Sequence, residues 1–141
     1  LRNLIQARAN DFLIQEFFPE SFGEDIRVFV VGQKIVACMK RKSTNGDFRS
    51  NLAQGGRGEP CTLTSAEEEL ALKAASALQL QIAGVDLLRT HKGSLILEAN
   101  PCPGLEGIEK YTQSNVACAI IKHIEEVHEI HSSSGRTDTH F

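Results

Sequence analysis

The sequence predicts an α+β domain: a mainly antiparallel sheet with helices packed on one face. Three observations predict it. Alternating apolar runs come in two hairpin pairs, over residues 26–42 and 82–100. Two helical repeats follow the pairs instead of separating single strands, which disfavours a parallel βαβ order. The chain has 141 residues, of which 41% are hydrophobic and 23% charged, enough for one domain with its own core.

The elements follow in order. Residues 12–17 alternate well enough for a strand. Residues 26–31 and 34–42 form a hairpin around Gly32-Gln33. Residues 43–60 are polar and Gly-rich, a long loop of the kind that often carries function. Thr64-Ser65-Ala66-Glu67 is a capping-box pattern. The helix it opens runs to about Leu80 and buries Leu70, Ala71, Ala74, Ala75 and Leu78. A second hairpin turns at Gly93. A last helix spans residues 115–129, with Ala117, Ile120, Ile121, Ile124 and Val127 at helical spacing. The expected order is β-β-β-α-β-β-α in a domain of residues 1–131, with residues 132–141 a flexible tail.

The chemistry concentrates in residues 82–110. With the second hairpin centred near Lys92, Asp86 sits opposite Glu98, and alternation puts Asn100 and Ile96 on the same face as Glu98. Two carboxylates facing each other repel, and a bound cation reverses the sign. Carboxylates plus an amide suit a hard ion such as Mg²⁺ or Mn²⁺. By spacing alone, the trio also reads as the solvated face of a hairpin. Ile82, Leu88 and Ile96 on that face, and the rigid Pro101-Cys102-Pro103-Gly104 loop beyond Asn100, favour a site.

Elsewhere, Arg49 stands in a Gly-rich setting, either a solvated arginine or a bidentate phosphate contact. Ser50 and Asn51 add neutral donors. Phe17 and Phe18 read as core aromatics. Asp25 reads as a turn carboxylate before a strand, with Arg27 its exposed ion-pair partner. Lys40 and Lys42 read as a solvated cationic strand edge. His128 and His131 are three apart without a third ligand, a poor metal pattern. Cys38, Cys61, Cys102 and Cys118 show no metal spacing and read as four reduced thiols of a cytoplasmic protein, Cys38 and Cys118 in the core. A net charge of −3 gives no reason to expect direct nucleic-acid binding. No apolar run approaches a membrane span, and no signal peptide is visible.

These blocks carry a resemblance. GVDLL, a turn and LILEANPCPGLEGIEK resemble the metal-binding end of the ATP-grasp superfamily, most closely the RimK-like glutamate ligases that act on a small-subunit ribosomal protein. Gln15-Glu16-Phe17-Phe18 resembles the hinge over adenine, Gly23-Glu24-Asp25-Ile26-Arg27 the following strand, and Gly46-Asp47-Phe48-Arg49-Ser50-Asn51-Leu52 with Gly55-Gly56 the phosphate-side loop. The blocks stand in the family's order over about residues 11–128. The resemblance implies the C-terminal lobe of an ATP-grasp fold, with the N-terminal domain and first lobe absent, so that the chain alone is an inactive ligase fragment. It implies that ATP, with two Mg²⁺ or Mn²⁺ ions, activates a carboxylate as an acyl phosphate, which an amine such as glutamate then attacks. The acceptor is a ribosomal or other protein or a peptide. By resemblance Asp86 and Asn100 each hold a metal and Glu98 bridges two. Glu16, Phe17, Asp25, Arg49, Ser50 and Asn51 hold nucleotide, and Arg49 is catalytic. Two alternatives remain at this point: a noncatalytic ATP-grasp-derived module that self-associates through an exposed apolar cleft, and an ATP-grasp ligase for a small peptide or carrier protein.

Overall fold

The computed structural model describes residues 15–134 apart from 45, 49, 51, 53 and 54, with backbone alone for 131–134. The start of the expected first strand, at 12–14, lies outside the described residues, as do Arg49, Asn51 and the tail beyond 134. Residues 15–18 form no strand, and a 3-10 turn at Pro19–Ser21 follows.

Five strands form one antiparallel sheet: β1 Glu24–Val31, β2 Lys34–Lys42, β3 Arg57–Pro60, β4 Ile82–Thr90 and β5 Gly93–Asn100, in the order β3-β2-β1-β4-β5. Three helices join them: α1 Ser65–Ala77, α2 Glu106–Thr112 and α3 Val116–Ser134. The expected α+β class and antiparallel sheet hold. Two elements were not expected. β3 comes from the end of the presumed loop and is only four residues long, too short for an alternation signal. Helix α2 has seven residues and no side-chain cap, so it lacks both start signals and periodicity. Because β3 pairs with β2, the Lys40–Lys42 strand is interior, not an edge. Lys40 pairs with Glu24 at 2.5 Å, and Lys42 with Glu24 and Glu59 at 3.4 and 3.2 Å.

Strand alternation sorts the core into two layers, one on each face. Ile26, Val28 and Val30 of β1, with Ala83, Val85 and Leu87 of β4, pack against Ala71, Ala74 and Ala75 of α1. Phe29 and Val31, with Ala37 and Met39 of β2, pack against Ile108 of α2 and Val116 of α3. The helices therefore cover both faces, which corrects the expectation of one. A central strand buried on both sides explains why β1 reads as a nearly continuous apolar run.

Helix α1 starts where its signal predicts. Thr64 Oγ1 accepts the Glu67 N–H at 3.3 Å, and Glu67 Oε2 accepts the Thr64 N–H at 2.9 Å. The helix ends at Ala77, and Leu78, expected to be buried, is 58% exposed. Cys118 is exposed, not core, and Cys38 is half-buried, with its Sγ donating to the Cys61 carbonyl at 2.8 Å.

Candidate functional site

One end of the face that carries α2 and α3 is charged, and alternation puts it there. Behind Phe29 and Val31, the same side of β1 presents Arg27 and Asp25. Across the ladder, Asp25 faces Arg41 of β2 and Arg27 faces Asp86 of β4. Arg41 Nε and Nη2 donate to Asp25 Oδ1 and Oδ2 at 2.6 and 2.7 Å, and Nη2 also reaches Asp86 Oδ2 at 2.7 Å. Arg27 Nη2 donates to Asp86 Oδ2 at 2.7 Å, and its Nε donates to Oδ1. Ser50 Oγ donates to Asp25 Oδ2. Asp25, Arg41, Ser50 and Asp86 are all buried. Charges of both signs balance, and among the described residues no buried side-chain N or O lacks a partner, which is what makes such a cluster tolerable in a core. Burial pushes the Arg41 guanidinium down, but its bonds to Asp25 and the charge of Asp86 outweigh that and hold it above its ordinary value.

Asp25 and Arg27 are thus not each other's partners. Side chains two apart on one strand are farther from each other than residues opposite across the ladder, about 4.5–5.5 Å between Cβ atoms. Asp25 takes Arg41, and Arg27 takes Asp86.

Two one-residue bulges decide which side chains reach this end. The β1–β2 register shifts between Phe29 and Val30. Without the shift, Asp25 would face Lys40 and Arg41 would turn toward α1. The β4–β5 register shifts between Asp86 and Leu87, so Glu98 stands opposite Asp86 while Ile96 stands opposite Leu87. Asp86 faces Glu98 as expected. Ile96, expected beside them, shares the α1 side with Leu87, and Leu97 lines the cleft instead. Bulges re-aim side chains in this way beside active sites.

The charged end borders a cleft of about 430 Å³. Glu16, Phe17, Asp25, Ser50, Asp86 and Glu98, drawn from four separate stretches of chain, all line it. Phe18, Phe22, Phe48, Leu88 and Leu97 supply apolar wall. Phe17 is 58% exposed and meets Phe22 edge-on, with centroids 6.2 Å apart at 84°, so it is wall and not core. Asn100 lies on the Asp86 face, opposite Gly84; its Oδ1 accepts the Cys102 N–H at 2.8 Å. Arg41 and Arg27 were not singled out for this site. Arg41 alternates with two lysines and looks solvated, and Arg27 meets Asp86 across 59 residues of sequence.

Residues 1–124 match the model of the RimK-like ATP-grasp domain. The chain belongs to that family. A probable alpha-L-glutamate ligase of Xylella fastidiosa (strain M12) is 48% identical over 89% of this chain and 43% of its own length. Probable alpha-L-glutamate ligase 1 of Shewanella sp. (strain W3-18-1) is 51% identical over 83% of this chain and 39% of its own. The chain thus spans about two-fifths of these relatives. A solved structure of the ATP-grasp ligase PsnB, complexed with a phosphomimetic variant of minimal precursor, Mg and ADP, superposes with a TM-score of 0.63 at 18% identity. The superposition covers 79% of this chain and 34% of that one. At that identity the likeness speaks for the fold.

Asp86, Glu98 and Asn100 can each offer an oxygen donor, the ligand type a hard cation takes. Glu98 has a 57% exposed side chain with Arg27 Nη2 3.9 Å away, so it is free to turn toward an ion. Both Asp86 oxygens hold guanidinium donors, and a cation using Asp86 would displace Arg27 from one of them. The donor chemistry fits, with that exchange as its condition.

Proposed function

We propose that this chain is the C-terminal lobe of an ATP-dependent carboxylate–amine ligase that adds glutamate to a ribosomal or other protein or to a peptide. The carrying observation is the cleft. It gathers Glu16, Phe17, Asp25, Ser50, Asp86 and Glu98 around buried charge, beside an apolar wall. A purine suits the wall of Phe17, Leu88 and Leu97, with the backbone at Glu16-Phe17 meeting its edge. The phosphates suit the end where Ser50 and Arg41 line the cleft.

The reaction forms an acyl phosphate and consumes it. The terminal phosphoryl group passes from ATP to a carboxylate oxygen, leaving ADP; an amine nitrogen then bonds to the carbonyl carbon, the carbon–oxygen bond to phosphate breaks, and the nitrogen gives up a proton to phosphate or solvent. Mg²⁺ or Mn²⁺ bound at Asp86, Glu98 and Asn100 would neutralise phosphate charge. Arg49 and Asn51, next to Ser50 in sequence, would contact the transferred group. Asp25 positions Arg41 and Ser50, since it accepts hydrogen bonds from both. In this reading the enzyme works in the cytoplasm; among the described residues no helix is long and apolar enough to cross a membrane.

Calorimetric titration with Mg²⁺ and a non-hydrolysable ATP analogue tests it. Metal-dependent binding that is lost in Glu98→Ala and Asp86→Ala supports the proposal. No binding, or binding indifferent to both substitutions, contradicts it.

A further inference from the structure

The β2–β3 ladder pairs Met39 with Pro60. One step further along that register sets Cys38 of β2 against Cys61, the residue that follows β3. Residues opposite each other on an antiparallel ladder have Cα atoms about 4.5–5.5 Å apart, inside the range of roughly 4.4–6.8 Å that a disulfide spans. The direction of the side chains agrees with the spacing. Both pack on the α1 layer of the core. Cys38 Sγ lies 2.8 Å from the Cys61 carbonyl oxygen, and the two thiols are hydrogen-bond neighbours as well.

Both thiols are half-buried, not sealed, so a small molecule can reach them. The other two cysteines stand elsewhere. Cys102 follows β5 at the opposite edge of the sheet, and Cys118 lies on α3 over the opposite face. The chain between the pair, residues 39–60, runs from β2 through Ser50 to β3. It carries Arg41 and Ser50, which both donate to Asp25. It ends in β3, an edge strand of only four residues. Helix α2 rests on that strand, since a Cβ on Gly58 would meet Tyr111 Cδ2 at 2.5 Å. A bond between Cys38 and Cys61 closes this whole segment into a loop and pins the edge strand that α2 rests on.

We propose that Cys38 and Cys61 form a redox-active dithiol site whose oxidant is a low-molecular-weight disulfide such as oxidised glutathione. Burial, and then the hydrogen bond and charge of Cys38, push the Cys61 thiol up to about 12, so Cys38 reacts first. Its thiolate attacks one sulfur of oxidised glutathione, the disulfide bond of that molecule breaks, and one glutathione leaves as thiolate. Cys61 then gives its proton to solvent, and its sulfur displaces the second glutathione from Cys38. Two electrons and two protons pass from the pair, and one oxidised glutathione becomes two reduced ones. Excess reduced glutathione reverses the exchange. A cytosolic disulfide of this kind is transient and sensing, not a permanent staple.

The test is incubation of the folded chain with oxidised glutathione, followed by alkylation of free thiols, proteolysis and mass spectrometry. The expected product is a pair of peptides joined through Cys38 and Cys61, two hydrogens lighter than its parts, and excess reduced glutathione restores both thiols. Physical measurements use a Cys102→Ser/Cys118→Ser background, two exposed positions. There oxidation raises the melting temperature by at least about 5 °C, because a closed loop restricts the unfolded chain. It also slows hydrogen exchange over residues 57–60 at least tenfold. Cys61→Ala in that background abolishes both responses. Glutathione held singly on Cys38 or Cys61 without a cross-link, or a cross-link to Cys102 or Cys118 in its place, would overturn the proposal. So would a Cys38–Cys61 bond that leaves melting and exchange unchanged.

Discussion

Replacing Arg41 by methionine removes the central cation of the buried network while keeping most of its aliphatic length. Two carboxylates lose a partner, but unequally. Asp86 keeps both bonds from Arg27, whereas Asp25 keeps only the Ser50 hydroxyl. Breaking a buried ion pair from one side costs about 3–5 kcal/mol, because the other charge stays buried. With Asp86 still compensated, the lower end, about 3 kcal/mol, is expected here. Urea unfolding reads it. At an m-value of roughly 1–3 kcal/mol/M, the midpoint falls by about 1–3 M. The double variant Arg41→Met/Asp25→Leu removes the stranded charge and recovers at least about 1 kcal/mol relative to the sum of the single variants. A single-variant loss under about 1 kcal/mol, or strict additivity in the cycle, would refute the reasoning.

Three further outcomes follow from the geometry. Gly84→Ala places a Cβ 2.8 Å from Pro103 Cβ and 3.0 Å from Arg27 Nη1; overpacking of this kind costs about 1–3 kcal/mol, and amide shifts should spread to residues 101–104, while an unchanged spectrum counts against the close packing. Phe29→Ala empties a fully buried site between β1 and the α2–α3 layer, so thermal unfolding should show a loss of about 3–5 kcal/mol. Hydrogen bonds from Arg89 hold the Glu67 carboxyl down at about 2 from an ordinary 4.5. Because the folded value is the lower one, the stabilisation is complete above about 4.5 and is lost as pH falls toward 2. Arg89→Ala should flatten the stability-versus-pH curve in that window, and an unchanged curve would count against the pairing.

Much of this molecule was legible in its sequence, for identifiable reasons. The capping box at Thr64 and Glu67 is local chemistry and landed where its residues said. The turns at Gly32-Gln33 and Gly93 carry positive φ, 60° at Gly32 and 117° at Gly93, which side chains resist, so both hairpins were visible. The charged end was less legible, because it depends on long-range register. A bulge needs no sequence signature, yet one bulge brings Arg41 instead of Lys40 to Asp25, and another exchanges Ile96 for Leu97 in the cleft. The pairing of Arg27 with Asp86 is a contact between β1 and β4 that no periodicity encodes. Helix α2 is held by Ile108, Gly107 and Tyr111 in tertiary contact and not by its own propensity.

The central claim is that the charged end of this sheet face is the metal and nucleotide end of a ligase lobe. The most direct test is paramagnetic line broadening by Mn²⁺ in the presence of the ATP analogue, read residue by residue in the amide spectrum. The account predicts that broadening is strongest at Asp86, Glu98 and Asn100 and disappears in Glu98→Ala while the fold is retained. Broadening centred elsewhere, or unchanged in that variant, would contradict it.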